Sequence, residues 1–370
     1  MTTPTTDGPK IERRTTPEPV PADRRAALLS DPGFGQVFTD HMISIRWSAG
    51  RGWHDAQLCP YAALSMDPAT MVLHYGQAIF EGLKAYRQAD GSIATFRPYE
   101  NARRFQRSAR RLAMPELPEE TFVEAIEALV AQDSEWVPTG AGESLYLRPL
   151  MIATEVGLGI RPSSECLFLL IACPVGTYFP RGVQPVCVWL SEDYTRAAPG
   201  GTGEAKCAGN YAATLVAQVL AAERGCDQVV WLDVVERRWV EEMGGMNLFF
   251  VYGSGDQARL VTPALTGTLL PGVIRDSLLT LARDMGCGAE EGRISTDQWR
   301  AGSADGSITE VFACGTAAVV TPIGTVKSNT HQWTVGRGEP GPITMKLRST
   351  LLDIQHGTID DEHGWMHRIC

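Results

Sequence analysis

One lysine stands between a glycine-rich loop and a run of small residues in GGTGEAKCAGNYAATLVAQVL, residues 200–220. An amine there is a nucleophile once it has lost its proton, and a base afterwards. Asn210 is placed to cap the helix that follows, Leu215, Val216, Val219 and Leu220 predict its buried stripe, and Gly225 closes its far end. Lys206 then lies just ahead of a helix N-terminus, where aligned peptide dipoles disfavour a cation. With partial desolvation this would favour the neutral, nucleophilic amine. A loop that merely displays Lys206 to water is the plainer reading of the same residues. A phosphate-binding Walker loop is excluded, because Ala205-Lys206-Cys207 is not Gly-Lys-Ser/Thr, and no G-x-G-x-x-G follows a strand.

Three further features have chemical potential. Pro271-Gly272 opens a helix whose first amides, at Val273 and Ile274, have no partner within the helix and can receive a phosphate. In FRPYENARRF, Arg97 sits at a strand end before a proline, where its guanidinium could grip a phosphate or serve as ordinary surface charge. Glu241 and Glu242 are adjacent at the end of an apolar strand, so alternation sends one inward and one to solvent. The inward one needs a cation or hydrogen-bond donors to stay ionised. Pyridoxal phosphate requires such a set: a lysine for its aldehyde, a cradle for its phosphate and a carboxylate opposite its pyridine nitrogen.

Two domains are the expectation for 370 residues. A composition of 44% hydrophobic and 21% charged residues is that of a soluble globular protein, and a net charge of -10 argues against a nucleic-acid surface. The richest basic stretch, NARRFQRSARRLAMP, reads as a helix with Phe105, Ala109 and Leu112 inward and a solvated basic face. Nine cysteines without a C-x-x-C pair suit reduced thiols in the cytoplasm. His363 and His367 are four apart, but Gly364 intervenes and no glutamate completes a hydrolytic metal motif, so no metal is expected. The longest apolar run, CLFLLIACPVG, is far below the roughly 20 residues of a membrane span.

Residues 1–33, polar and rich in Pro and Thr, are expected to be disordered. Residues 34–178 are expected to form the first domain, 179–190 a linker that begins inside the Gly/Pro-punctuated stretch PVGTYFPRGVQP, and 191–370 the second domain. Strand–turn–strand segments such as HMISIRWSAGRGWHDAQL, the hairpin turn at Ala89-Asp90-Gly91, the amphipathic PEETFVEAIEALVAQD and the single last strand ITEVFACGTAAVVTPIG predict α/β or α+β domains, not a doubly wound sheet.

Seven ordered segments, HYGQAIFEGLKAYR, FRPYENARR, YLRPLMIATE, KCAGNYAATL, EEMGGMNLFFV, LLPGVIRDSLL and EVFACGTAAVVTPIG, resemble those of the branched-chain-amino-acid aminotransferases, in the class IV, fold-type IV pyridoxal phosphate family. The likeness runs from about Phe34 to the C-terminus. It implies a smaller N-terminal α/β domain, a larger C-terminal pseudo-barrel, pyridoxal 5'-phosphate as cofactor and a homodimer. By this resemblance Lys206 binds the cofactor's aldehyde and then shuttles the proton, Tyr211 bonds the phenolic oxygen, and Glu242 rather than Glu241 faces the pyridine nitrogen. Arg97, the amides of Val273 and Ile274, and Thr316 hold the phosphate.

The substrates implied are small amino acids and 2-oxo acids: leucine, isoleucine or valine with 2-oxoglutarate. Tyr146, Arg148 and the turn amides of Thr316 and Ala317 would supply the polar contacts. Tyr75, Phe80 and Tyr178 would form aromatic walls, Tyr75 across a dimer interface, although core packing would equally use such rings. D-amino-acid transaminases and aminodeoxychorismate lyases share this fold and stand as alternatives, as does a cofactor-binding protein without turnover. Two features of animal relatives are absent: their C-x-x-C pair is replaced by Ala318-Val319-Val320-Thr321, and a threonine near the ring by Gly245.

Overall fold

The computed structural model describes residues 8–176 and 182–370. The chain divides into two units, one made of Met1–Tyr178, Ala205–Ala208 and Asp353–Cys370, the other of Phe179–Glu204 and Gly209–Leu352. The sequence placed 205–208 and 353–370 in the second domain. By contacts these residues group with the first unit.

The first unit is built on one sheet. Its strands run, edge to edge, Glu12–Arg13, Gly52–Pro60, His41–Ser48, Glu165–Val175, Ser144–Ala153, Leu83–Arg87, Ile93–Phe96 and Met366–Arg368, with Ala78–Phe80 also paired to Ser144–Ala153. The apolar run CLFLLIACPV becomes the central strand Glu165–Val175, buried along nearly all its length because neighbours flank it on both sides. Helices Pro98–Arg111 and Glu119–Gln132 bury Phe105 and Phe122 against Phe168 of that strand. Met366–Arg368 pairs with Ile93–Phe96, which explains why the end of the chain belongs here.

Residues 8–33, expected to be disordered, instead hold the strand Glu12–Arg13 and the helix Ala22–Leu29, and Ile11, Val20, Leu28 and Leu29 pack against the core. A few apolar side chains spaced through a polar segment suffice to dock it, although they are too sparse to form a periodic pattern.

In the second unit six strands close on themselves. Val240–Met243, Gln228–Leu232, Val186–Ser191, Val319–Lys327, Ile308–Gly315 and Met246–Tyr252 pair in that order, and Met246–Tyr252 returns to Val240–Met243. This is the expected pseudo-barrel, and closure leaves these six without a free edge. The segment ITEVFACGTAAVVTPIG, expected as one strand, is a hairpin turning at residues 316–318. Its apolar run continues through the turn, so periodicity alone does not reveal the break.

The helix after the glycine loop is Leu215–Glu223, and its buried face is not the predicted one. Ala217 and Ala221 face Trp189, Val229 and Trp231, whereas Leu215, Val216 and Val219 are exposed. Two alanines allow close approach to the indoles, and packing shape overrides the larger aliphatics. Among the described residues no helix is long and apolar enough to cross a membrane.

Candidate active site

Lys206 belongs to the four-residue excursion Ala205–Ala208 into the first unit. Cys207 bridges to Ile79, the Phe80 amide donates to the Lys206 carbonyl at 3.0 Å, and the Lys206 amide donates to Ser108 Oγ at 2.9 Å. The half-buried side chain places Nζ 5.1 Å from the centre of the Phe80 ring. The backbone of this lysine is therefore fixed on both sides, unlike that of a loop residue displayed to water.

Ser108 is part of a polar face on the helix Pro98–Arg111. One turn earlier, Arg104 grips the fully buried Glu81, with Nε 2.7 Å from Oε1 and a terminal nitrogen 2.8 Å from Oε2, and Asn101 Nδ2 adds a bond at 2.8 Å. The basic face of this helix was expected in water; Arg104 is instead buried, because Glu81 supplies a bidentate partner. Burial alone pushes the Glu81 carboxyl up, but the charge and hydrogen bonds of Arg104, with Lys206 and Asn101, overcome it and hold the group below the usual carboxylate range.

Changing Glu81→Gln leaves Arg104 buried without a counter-charge, at an expected cost of about 3–5 kcal/mol at neutral pH. The folded carboxyl titrates below its unfolded value of about 4.3, so its stabilisation is complete above that pH and fades as pH falls further. Denaturant titrations of parent and variant should therefore converge in acid. A gap that persists unchanged there would show that the charge is not what matters.

Near the same strand lies a second cation. A terminal nitrogen of Arg148 donates to Tyr146 Oη at 2.9 Å, and its guanidinium carbon is 4.7 Å from the Phe80 ring centre and 5.3 Å from that of Tyr146. Its Nε is buried and has no hydrogen-bond partner among the described residues. Lys206, Phe80, Tyr146 and Arg148 are thus brought together, joined by Phe34 edge-on to Tyr146 at 5.2 Å. Tyr75 is exposed at the end of the helix Met71–Tyr75 and donates to the Leu158 carbonyl. Tyr178 lies outside the described residues.

Gly82 explains the glycine of FEGLKAY. A Cβ at this position would lie 2.1 Å from Tyr146 Oη and 2.9 Å from Cζ. Gly82→Ala would collide with the phenol that Arg148 bonds and must disturb that pair. We expect kcat/KM to fall by about 10²-fold, chiefly through KM, with the fold intact by circular dichroism. An unchanged KM would argue that Tyr146 does not contact the substrate.

Arg97 has backbone angles φ 49° and ψ 50°, the left-handed region, between the strand Ile93–Phe96 and Pro98 of the helix. For a residue other than glycine this costs about 1–3 kcal/mol, and such strain concentrates at functional positions. Its amide donates to the Trp365 carbonyl, and its guanidinium is 5.4 Å from the Trp365 ring centre. His363 stacks on that ring while His367 bonds Glu127, so the two histidines serve different partners.

The remaining expected site residues belong to the second unit. Glu242 is buried, its Oε1 accepting from the Leu270 amide at 2.6 Å and from Asn247 Nδ2 at 3.2 Å, while Oε2 lies 3.0 Å from Arg196 Nε. Arg196 also donates to the carbonyls of Thr268 and Gly203, tying the carboxylate to the glycine loop. A Cβ at Gly203 would stand 2.4 Å from the Thr268 carbonyl oxygen, so only glycine permits this approach. Glu241 does point to the other face, but it is not solvated. It accepts from Thr268 Oγ1 at 2.5 Å beside a cavity of about 320 Å³, and burial raises its carboxyl above the usual range against that bond.

Asn210 is no cap. It sits inside the short helix Ala208–Ala212 and exchanges two bonds with Thr202, at 2.6 and 2.7 Å, which lock the loop. Tyr211 follows it, and a Cβ on Gly245 would come 3.3 Å from the Tyr211 ring. The helix Val273–Asp284 has Gly272 at its N-cap, so no N-cap side chain bonds its first amides, those of Val273 and Ile274 included. Thr316 and Ala317 form the turn between the last two barrel strands, and Val319, just after it, has φ 63°.

Arg196, Asn247, Glu81, Arg104 and Ser108 were not anticipated. Glu81, Arg104 and Asn247 lie inside segments that carry the family likeness, but their importance comes from the partners that folding gives them. The one signal that could have raised them is the glutamate within the FEGLKAY run: a charge in an apolar segment demands a buried cation.

A profile of the amino-transferase class IV family matches residues 78–326. The chain belongs to that family. It is 63% identical to a probable branched-chain-amino-acid aminotransferase of Streptomyces coelicolor over the whole of both chains, and 62% identical to a branched-chain-amino-acid aminotransferase of Mycolicibacterium smegmatis, covering 93% of this chain and 94% of that one. Among solved structures, a T.th. branched-chain amino acid aminotransferase with pyridoxamine 5'-phosphate superposes with a TM-score of 0.71 at 29% identity, covering 88% of this chain and 98% of that one.

Proposed function

We propose that this chain is a pyridoxal phosphate-dependent branched-chain-amino-acid transaminase, exchanging the amino group between L-leucine, L-isoleucine or L-valine and 2-oxoglutarate in ping-pong half-reactions. The observation that carries this reading is Lys206, anchored through both backbone groups beside an aromatic ring that also faces Arg148. The residues present suit the cofactor: an amine, a buried carboxylate among donors, an uncapped helix start and a strained arginine. Pyridoxal phosphate, when bound, supplies an electron sink for negative charge at the amino acid's α-carbon.

In this proposal Lys206 Nζ would hold the cofactor at rest and, once released from it, would carry the proton taken from the substrate's α-carbon. Glu242 would face the ring nitrogen and favour its protonated form, and Tyr211 would bond the phenolic oxygen. Arg97, the amides of Val273 and Ile274, and Thr316 neutralise the phosphate. Tyr146, Arg148 and the turn amides of Thr316 and Ala317 would orient the substrate's carboxylate, while Phe80 would border its side chain, with Tyr75 contributed by a second copy in a cytoplasmic homodimer. Aliphatic branches and the longer glutamate side chain fit one apolar wall with polar groups near it, since such a wall separates single methylenes only weakly.

Borohydride reduction of the yellow holoenzyme, followed by peptide mapping, should leave the label on Lys206. L-leucine should bleach the colour and 2-oxoglutarate restore it. A label on another lysine would remove the assignment, and bleaching by D-leucine but not L-leucine would turn the reading towards a D-amino-acid transaminase.

A further inference from the structure

The sulfur atoms of Cys187 and Cys226 lie 2.9 Å apart, closer than two sulfurs rest when they merely pack. Both belong to the second unit, 39 residues apart in the chain. Cys187 is on the barrel strand Val186–Ser191, and Cys226 immediately precedes Gln228–Leu232, its parallel neighbour. Asp227 locks the two together, its amide donating to the Cys187 carbonyl and its carboxylate accepting from the Cys187 amide, both at 2.8 Å. Adjacent strands lie about 4.8 Å apart, which puts the two backbones in the range a disulfide spans. The alignment is therefore fixed by the strand ladder and not by chance rotamers.

We propose that Cys187 and Cys226 are an oxidisable dithiol that peroxides convert to an intrachain disulfide. Cys187, the half-buried member, meets the oxidant first; Cys226 packs among Trp189, Ala221 and Val229. The Cys187 sulfur attacks one peroxide oxygen, the O–O bond breaks, and a sulfenic acid and one water result. The Cys226 sulfur then attacks the sulfenic sulfur, the S–O bond breaks, and the departing hydroxide leaves as water with the Cys226 proton. Two thiols lose two electrons and two protons, and the peroxide is reduced to two waters. Burial and the neighbouring thiol push Cys226 up to about 12, with Lys327 opposing them, so it waits as a thiol and serves as the resolving partner.

The bond would close a segment that includes Lys206 and Tyr211, and closing a loop of this length restricts the unfolded chain. This site is independent of the C-x-x-C pair of animal relatives, and it does not rest on the transaminase reading.

The test treats pyridoxal phosphate-loaded full-length protein with near-stoichiometric hydrogen peroxide. The expected result is a mass loss of two hydrogens, a cross-linked peptide joining Cys187 to Cys226, and a melting temperature raised by several degrees, all reversed by dithiothreitol. Cys226→Ser should give no cross-link and should leave Cys187 as a sulfenic acid that dimedone captures. If Cys59 or Cys370 is consumed while Cys187 and Cys226 remain open to alkylation, or if Cys187 passes to the sulfinic acid with Cys226 still free, the proposal fails.

Discussion

Lys206→Ala lowers kcat for leucine-dependent transamination by about 10⁴-fold or more. Loss of a positioned proton carrier alone accounts for up to about 10⁴, and loss of the covalent nucleophile adds to it. The protein itself should remain folded, because the contacts that fix this position are made by the backbone: the amide to Ser108 and the carbonyl to Phe80. Circular dichroism and the melting temperature should therefore match the parent while single-turnover rates collapse. A variant that keeps a tenth of its activity would show that some other group moves the proton.

Glu242→Gln should damage both activity and stability. If Glu242 faces the cofactor's ring nitrogen as proposed, removing its charge should cost about 10²–10³ in kcat, the scale of one preorganised electrostatic contact. It also strips Arg196, itself buried, of its counter-ion, which costs about 3–5 kcal/mol. Pairing the change with Arg196→Met separates the two effects. The double variant regains part of its stability, because neither charge is left alone, although the carbonyls of Gly203 and Thr268 lose a donor. Its activity does not return. Recovery of activity in the double variant would show that the carboxylate serves the fold and not the reaction.

Legibility in the sequence differed between residues whose role is local and those whose role depends on distant partners. The uncapped start at Val273 and the glycine turn at Gly91 follow from local chemistry and were legible. The lysine was legible as a candidate, but its fixation was not, since Ser108 and Phe80 are distant in sequence from Lys206. Helix Leu215–Glu223 had the opposite fate: a strong aliphatic pattern pointed to the wrong face, because two tryptophans favour alanine across from them. Likewise Glu241 was expected in water from strand alternation, which gives the face but not what covers it. The strain at Arg97 is invisible in sequence, because an arginine before a proline ordinarily takes an extended backbone.

The pairing of Met366–Arg368 with Ile93–Phe96 has a temporal consequence. On a growing polypeptide, residues 93–96 emerge long before residues 366–368, so the edge they form stays uncovered while more than two-thirds of the chain is still being made. Nascent protein would spend that interval as a target for chaperones and for stray strand pairing.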